Sequence, residues 1–341
     1  MISEDLAEPW DEGIKKFAYS VARAMERGHD VRMVNVDRSG VGGEAAVRVP
    51  GTRTFMSAAL AGTVRSFRPD IVLYVPSPSN TLGSFVRSGV LKWLAPRARH
   101  GMVALIPREH AARRKLFLKW AAPHIVWVPS YRSLLRLSRL SLGGDVLPVG
   151  VDPDVFTPPR GREKRDLRAR YGIDDKAFVA LHVGHLSRKR NLGALASLRE
   201  LAGSDGVAVI LIGSTTTPED RALRKELEAK GVRVIREVVD VQHFYRLADC
   251  YVFPVEDSEG CVEMPLSVVE SLASGLPVVT TPFGGLRDFL PAGDDVRYWS
   301  SPEELGEAVR SLRKGPSPEI RDMKDFYWDS IAARIVNALN P

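Results

Sequence analysis

The sequence predicts an α/β protein made of parallel sheets in two domains, and three observations carry that expectation. Short apolar runs rich in Val, Ile and Leu recur along the chain, each followed by a segment of helical length and spacing. This alternation is the pattern of parallel strands covered by helices on both faces. It halts in a polar, Pro-containing and charged stretch at 158–172, then restarts with a strand from Ala177. A chain of 341 residues, 44% of them hydrophobic, can also fill two separate cores.

Taken in order, Gly13 opens a helix reaching about Arg27, Gly28 turns the chain, and 31–36 is a strand. A strand ahead of that helix is missing or compressed into the first few residues. The runs at 69–77, 101–107 and 123–130 are further strands, each succeeded by a helix. After the linker at 158–172 come strands at 177–183, at 207–213 running into Ser214 to Thr216, and from Val232 through Ile235. A helix at 240–250 leads to a central strand at 251–255. The acidic residues Glu256, Asp257 and Glu259 then form a loop, and Pro265 opens an apolar helix at a position where its missing N–H costs nothing. Gly275 stops that helix, 277–280 is the next strand, and the pair Gly284 and Gly285 follows. A helix at 301–313 and a closing helix ending IAARIVNALN complete the chain.

Composition narrows the function. With no run of eighteen apolar residues and no signal-like start, the expectation is a soluble intracellular protein without a membrane span. Two cysteines, Cys250 and Cys261, support neither a disulfide framework nor a zinc site. Seven scattered His, with no His-x-x-x-His or paired Asp spacing, give no protein-built metal site. The net charge of +6 and pI near 9.3 suggest an anionic partner: nucleic acid, nucleotide or lipid phosphate.

Between Arg87 and Arg139 lie twelve Lys or Arg and one acidic residue, Glu109. Within this span Ala112, Leu116 and Trp120 recur at i, i+4 and i+8, flanked by Arg113, Arg114, Lys115 and Lys119. A basic amphipathic helix of this kind suits an anionic membrane surface. It equally suits a helix facing the core with a solvated basic face. Nucleic acid would explain the charge too, but no aromatic RNA-binding motif or recognition-helix pattern accompanies it.

Two carboxylates stand out in the richest stretch, 251–286. Glu263 precedes the apolar helix, and Glu270 lies inside it among Leu266, Val268, Val269, Leu272 and Ala273. Burying either charge alone would cost several kcal/mol. Each therefore has a Lys or Arg partner, or accepts hydroxyl protons from a sugar or ribose beside a helix N-terminus facing an anion.

The segment EMPLSVVESLASGLPVVTTPFGGL resembles the donor-binding segment of GT-B fold glycosyltransferases of family 4 (glycosyl transferases group 1), where a Glu-x7-Glu motif precedes a small-Gly-Leu-Pro-Val-Val strand. LPVGVDPDVFTPP at 147–159 is similar to that family's interdomain segment, matching at Pro148, Gly150, Val151, Asp152, Phe156 and Pro158. The resemblance implies two Rossmann-like domains whose parallel sheets face across a cleft. They divide into an acceptor domain at 1–158, a nucleotide-sugar domain at 159–320 and a closing helix at 321–341 that crosses back to the first.

It also implies residue roles. Glu270 matches the ribose-binding Glu. The first Glu falls out of register: Val262 holds its expected place, and Glu263, one residue late, takes the sugar-contacting role. In GHLSRKRN, His185 and Arg190 stand where the family has an Arg and a Lys on the donor diphosphate, and Asn191 replaces a Gly. Gly13, Gly184, Ser214, Thr215, Val234, Ile235, Cys261, Gly284 and Gly285 complete the donor-binding set. A family His after the strand at 102–106 is replaced by Pro107, with Arg108 and His110 nearby.

The function so implied is a retaining, metal-independent glycosyltransferase without a cofactor. It would move a sugar from a UDP- or GDP-sugar to a glycan or lipid-linked acceptor in cell-surface polysaccharide or glycolipid synthesis. Its place would be the cytoplasm, at the inner face of the membrane through the basic helix. A nucleotide-sugar epimerase on the same fold and a non-catalytic nucleotide-sugar-binding module are the alternatives.

Overall fold

The computed structural model describes residues 1–340 except 5, 7, 9, 11, 38–45, 78, 202–205, 215–219, 237–239 and 257–260. The chain divides into two compact units. The first comprises Met1–Gly150, Val262–Met264 and Trp328–Pro341, and the second Val151–Cys261 and Pro265–Tyr327.

The first unit holds seven parallel strands: β1 (Ile2–Ser3), β2 (Val34–Asp37), β3 (Val47–Pro50), β4 (Ile71–Val75), β5 (Arg99–Val103), β6 (Ile125–Val128) and β7 (Gly144–Val146). Their order is β3-β2-β1-β4-β5-β6-β7. The first strand is thus present, compressed to two residues at the centre of the sheet. Ile2 aligns with Val34 on one side and Tyr74 on the other, Tyr74 with Met102, and Met102 with Val126. Because paired residues of parallel strands point to one face, these five form a continuous apolar row in the core. On the unit's other helical layer, Phe17 of the helix Gly13–Met25 meets Trp328 of the helix Trp328–Leu339 edge-on, with ring centroids 5.7 Å apart.

The second unit holds six parallel strands: β8 (Phe178–Gly184), β9 (Val207–Gly213), β10 (Val232–Ile235), β11 (Cys250–Phe253), β12 (Val278–Thr280) and β13 (Val296–Tyr298), ordered β10-β9-β8-β11-β12-β13. The helix Leu266–Ala273 begins one residue after Pro265, which sits at its N-cap, and Gly275 ends it at φ +71°, a conformation few other residues tolerate.

Two expectations need correction. The stretch at 158–172, read as linker and entry to the second domain, lies wholly in the second unit and contains the helix Glu163–Arg170, whose Arg168 is buried, pairs with Asp249 at 2.6 Å and donates to the Leu247 carbonyl at 2.9 Å. The basic segment is not one amphipathic helix: Ala112–Arg114 is a 3₁₀ turn, and the α-helix is Lys115–Ala121. Leu118 and Ala121 face the core, whereas Leu116 and Trp120 are 82% and 73% exposed. Of the two readings, the core-facing one therefore fails, because Leu116 and Trp120 lie in solvent. No helix among the described residues is long and apolar enough to cross a membrane.

Candidate functional site

In the second unit, β9, β8, β11 and β12 are neighbours, so the loops leaving their carboxyl ends emerge side by side. Ligands of open parallel sheets bind beyond those ends. The loop after β8 carries most of the charge. Gly184 ends the strand, half-buried His185 follows, and Arg188–Arg190 form a 3₁₀ turn capped by the Ser187 hydroxyl, which accepts from the Lys189 N–H at 3.4 Å. Asn191 then turns the chain at φ +50°, one of the few conformations where Asn substitutes well for Gly.

These loops are tied together. The Arg190 guanidinium donates to the Cys261 Sγ at 2.7 Å, and the Asn191 amide donates to Glu256 at 3.0 Å, joining the β8 loop to the segment after β11. The Ser214 N–H donates to the Gly184 carbonyl at 3.2 Å, and Arg236 donates to the Ser214 carbonyl at 3.2 Å. Val234 and Ile235 lie in β10 beside Leu211 and Ile212. Burial pushes the Cys261 thiol up, and the adjacent guanidinium opposes that shift. Gly284 adopts φ +53° and Gly285 follows it, directly ahead of the short helix Leu286–Phe289.

Glu270 is buried on the helix Leu266–Ala273, and the Tyr245 hydroxyl donates to its Oε2 at 3.0 Å. On the same helix Ser267 receives the Tyr251 hydroxyl at 2.7 Å, and that hydroxyl also lies 3.2 Å from the Val183 carbonyl. His182 is buried under the β8 loop. Its Nδ1 is 2.9 Å from the Val252 carbonyl, so Nδ1 carries the hydrogen and Nε2 is an acceptor with no partner among the described residues. Burial lowers its pKa to about 4, so the ring is neutral near pH 7. A Cβ on Gly184 would stand 2.9 Å from that nitrogen, so the glycine is required by close approach.

The remaining expected residues belong to the first unit. Gly13 is the first residue of its helix, with no side-chain cap from Glu12. Val262 and Glu263 group with this unit, where the Glu263 N–H donates to the Leu105 carbonyl at 3.1 Å. The Glu263 carboxylate accepts from Ser130 at 2.7 Å and from Ser133 at 3.0 and 2.9 Å. Ser130 is itself the N-cap of the helix Tyr131–Arg139, so the carboxylate sits at the positive end of that helix. Beside Pro107, the Arg108 N–H donates to Asn80 Oδ1 at 2.6 Å, and the His110 ring meets the Asn80 carbonyl at 2.9 Å. Thr215 lies outside the described residues.

Sequence reasoning missed Tyr245, Tyr251, His182, Ser130 and Ser133. A signal existed only for the tyrosines, whose hydroxyls need partners once buried. The expected cationic partner is absent for Glu263, which forms no ion pair among the described residues; serine hydroxyls hold it instead.

Residues 177–314 match the family model described as Glycosyl transferases group 1. The D-inositol 3-phosphate glycosyltransferase of Paenarthrobacter aurescens is 31% identical over 160 residues, covering 44% of this chain and 37% of the relative. The putative teichuronic acid biosynthesis glycosyltransferase TuaC of Bacillus subtilis is 31% identical over 211 residues, covering 60% of this chain and 50% of that protein. The chain thus spans half or less of the length of these curated relatives. Among solved structures, Anabaena HepE in complex with UDP and glucose superposes with a TM-score of 0.70 at 15% identity over 99% of this chain and 98% of that one, a likeness of fold. The chain takes the GT-B fold, and the strands and loops from β8 through β13 that carry the candidate site are the part similar to the glycosyl transferases group 1 model.

Proposed function

We propose that the protein transfers a sugar from a UDP- or GDP-sugar to a glycan or lipid-linked acceptor, with retention of anomeric configuration and without a metal. The observation that supports this reading is that Arg190, in the turn after β8, and Glu270, on the helix after β11, both lie inside the segment that matches the family model. UDP and glucose bound to the similarly folded HepE support it, as do the activities of the two curated relatives.

In the reaction, the bond between the anomeric carbon and the diphosphate oxygen breaks with its electron pair going to oxygen. The acceptor hydroxyl oxygen then bonds to that carbon from the same face, and its proton passes to the departing diphosphate oxygen. Negative charge builds on the diphosphate while the sugar becomes cation-like. Arg190 supplies a permanent bidentate cation for that charge, assisted by His185 and by backbone N–H groups near Gly284, Gly285 and the start of the helix Leu266–Ala273. Glu270 takes the ribose hydroxyls, and Glu263 contacts the transferred sugar. The first unit receives the acceptor.

Radiolabel from UDP- and GDP-sugars, followed into lipid and glycan extracts, tests this reading. Label that moves to an acceptor supports it. Label that changes sugar without moving identifies an epimerase, and binding without turnover a silent module.

The exposed side chains of the first unit favour a lipid-linked acceptor at an anionic membrane on the cytoplasmic side. Trp93, Leu116 and Trp120 are 67%, 82% and 73% exposed, and Phe117 is partly so. Lys92 fastens the helices that carry them, donating to the Trp120 carbonyl at 3.3 Å. Arg113, Arg114, Lys115 and Lys119 lie on the same short segment, and each cation near such a surface adds about 1 kcal/mol. Co-flotation with vesicles containing anionic lipid, lost in Trp120→Ala and in high salt, is the expected result. Equal flotation with neutral vesicles would remove the electrostatic part of the reading.

A further inference from the structure

We propose that Tyr245 is a positioning residue for ribose recognition: its phenol holds Glu270 in the orientation that meets the ribose hydroxyls of the donor, and so sets the preference for ribonucleotides over deoxyribonucleotides. The inference rests on the reading of Glu270 given above and adds the residue through which that carboxylate is aimed.

The geometry runs through two tyrosines. Tyr245, on the helix Val241–Leu247, is fully buried, and its hydroxyl donates to Glu270 Oε2 at 3.0 Å. Its ring is clamped by Phe156 edge-on, with centroids 5.6 Å apart at 75°, and by Tyr251 at 5.9 Å. Tyr251 is pinned in turn by Ser267 on the helix of Glu270 and by the Val183 carbonyl near the end of β8. The phenol therefore cannot swing without moving both helices and the strand that feeds the Arg190 loop. A glutamate arm has three rotatable bonds, and ordering it at the moment of binding costs affinity that a fixed donor removes in advance. Burial and the neighbouring carboxylate push the Tyr245 pKa well above its ordinary value, so the hydroxyl stays a donor.

Sites built to receive a particular hydroxyl discriminate strongly against analogues lacking it, because a buried polar group is then left unmet. An aimed carboxylate gives that discrimination, whereas a carboxylate free to rotate gives less. Tyr245 is thus expected to act on the ribo-to-deoxy affinity ratio.

The test uses the whole chain and isothermal calorimetry with UDP, GDP and their 2′-deoxy forms, on wild type, Tyr245→Phe and Glu270→Gln. For the base that binds, wild type is expected to prefer the ribonucleotide by on the order of tenfold or more. Tyr245→Phe, which keeps the ring, should compress that ratio several-fold by weakening the ribonucleotide while leaving the deoxy affinity near wild type. A wild-type ratio in folded Tyr245→Phe overturns the inference, as does equal weakening of both nucleotides, which would mark Tyr245 as packing only. The Glu270→Gln result separates the two readings. If Glu270→Gln compresses the ratio and Tyr245→Phe does not, only the Tyr245 inference falls; if Glu270→Gln leaves the wild-type ratio intact, the ribose reading falls and the inference with it. Should Tyr245→Phe not fold, the double variant Tyr245→Phe/Glu270→Gln leaves no buried charge stranded. Its ratio should equal that of Glu270→Gln alone, and a further loss overturns the coupling.

Discussion

Glu263 and Glu270 lie seven positions apart and are both buried, yet they belong to different neighbourhoods. Glu263 groups with the first unit, where the hydroxyls of Ser130 and Ser133 reach its carboxylate at a helix N-terminus. Glu270 stays in the second unit, on the helix Leu266–Ala273, where the phenol of Tyr245 donates to it. The two show that a buried carboxylate can be sustained by hydroxyl donors, and that position in the sheet, more than the residue type, decides what chemistry is open to it. A carboxylate held by serine hydroxyls at a helix N-terminus contributes to stability, while the one on the helix that follows β11 is the one proposed to receive a ligand's hydroxyls.

The comparison is tested most strongly on the Glu270 side, by removing the cation. Arg190→Ala should lower kcat about a hundredfold, the usual scale for one donor lost from charge stabilisation, roughly 3 kcal/mol. If the role of Arg190 is in the reaction, the variant's melting temperature should stay near wild type. A matching loss of folded protein would make Arg190 structural and erase the distinction. On the other side, the double variant Ser130→Ala/Ser133→Ala strips the donors from the Glu263 carboxylate. Leaving a buried charged acceptor unmet costs about 1–3 kcal/mol or more, so thermal unfolding should move down by several degrees while nucleotide affinity holds. Loss of UDP-sugar affinity at constant melting temperature would instead tie the two serines to the proposed contact of Glu263 with the transferred sugar. Smaller again, Glu270→Ala should weaken nucleotide binding about tenfold, as for one charged hydrogen bond. Unchanged affinity by calorimetry would remove the ribose assignment.

Much of this arrangement was legible because the chain punctuates it. Pro265 and Gly275 bracket the Glu270 helix at both ends, and the apolar run before each loop marks β8 and β11 clearly. Of the edge strands β10 was legible from its apolar run, but three were not: β3 buries only Val49, and β7 and β13 are three residues each, too short and too polar to show one. The central β1 escaped for a different reason, since two residues flanked by strands on both sides need no run at all. The basic segment was half legible: Leu116 and Trp120 do share an exposed face, but a 3₁₀ turn at Ala112–Arg114, with three residues per turn, keeps it from being one continuous helix. Within the candidate site, the motifs that contain Arg190 and Glu270 were legible as motifs. Their partners were not. Tyr245 lies 25 residues before Glu270, and Ser130 lies 133 before Glu263, so only the folded packing of separate helices brings those hydroxyls to the carboxylates.

Two buried imidazoles give the last and smallest test, one in each unit. His182 lies under the β8 loop of the second unit, and His100 lies on β5 of the first with its Nε2 2.8 Å from the Ala95 carbonyl. Burial lowers both to about 4, from 6.5; Arg190 and His185 add to the effect at His182, and His124 and Lys92 at His100. A histidine whose folded pKa lies below its unfolded one binds its proton more readily in the unfolded chain. Its contribution is therefore complete above about pH 6.5 and is lost as pH falls toward 4. Between pH 7 and 6 each imidazole should remove somewhat under 1 kcal/mol. Urea midpoints measured across that interval should fall as the pH falls, and His182→Gln and His100→Gln should each flatten the slope. If only His100→Gln flattens it, His182 has an acceptor-satisfying partner that keeps its charge state the same in both forms, and the ring under the Arg190 loop is not the neutral base described above.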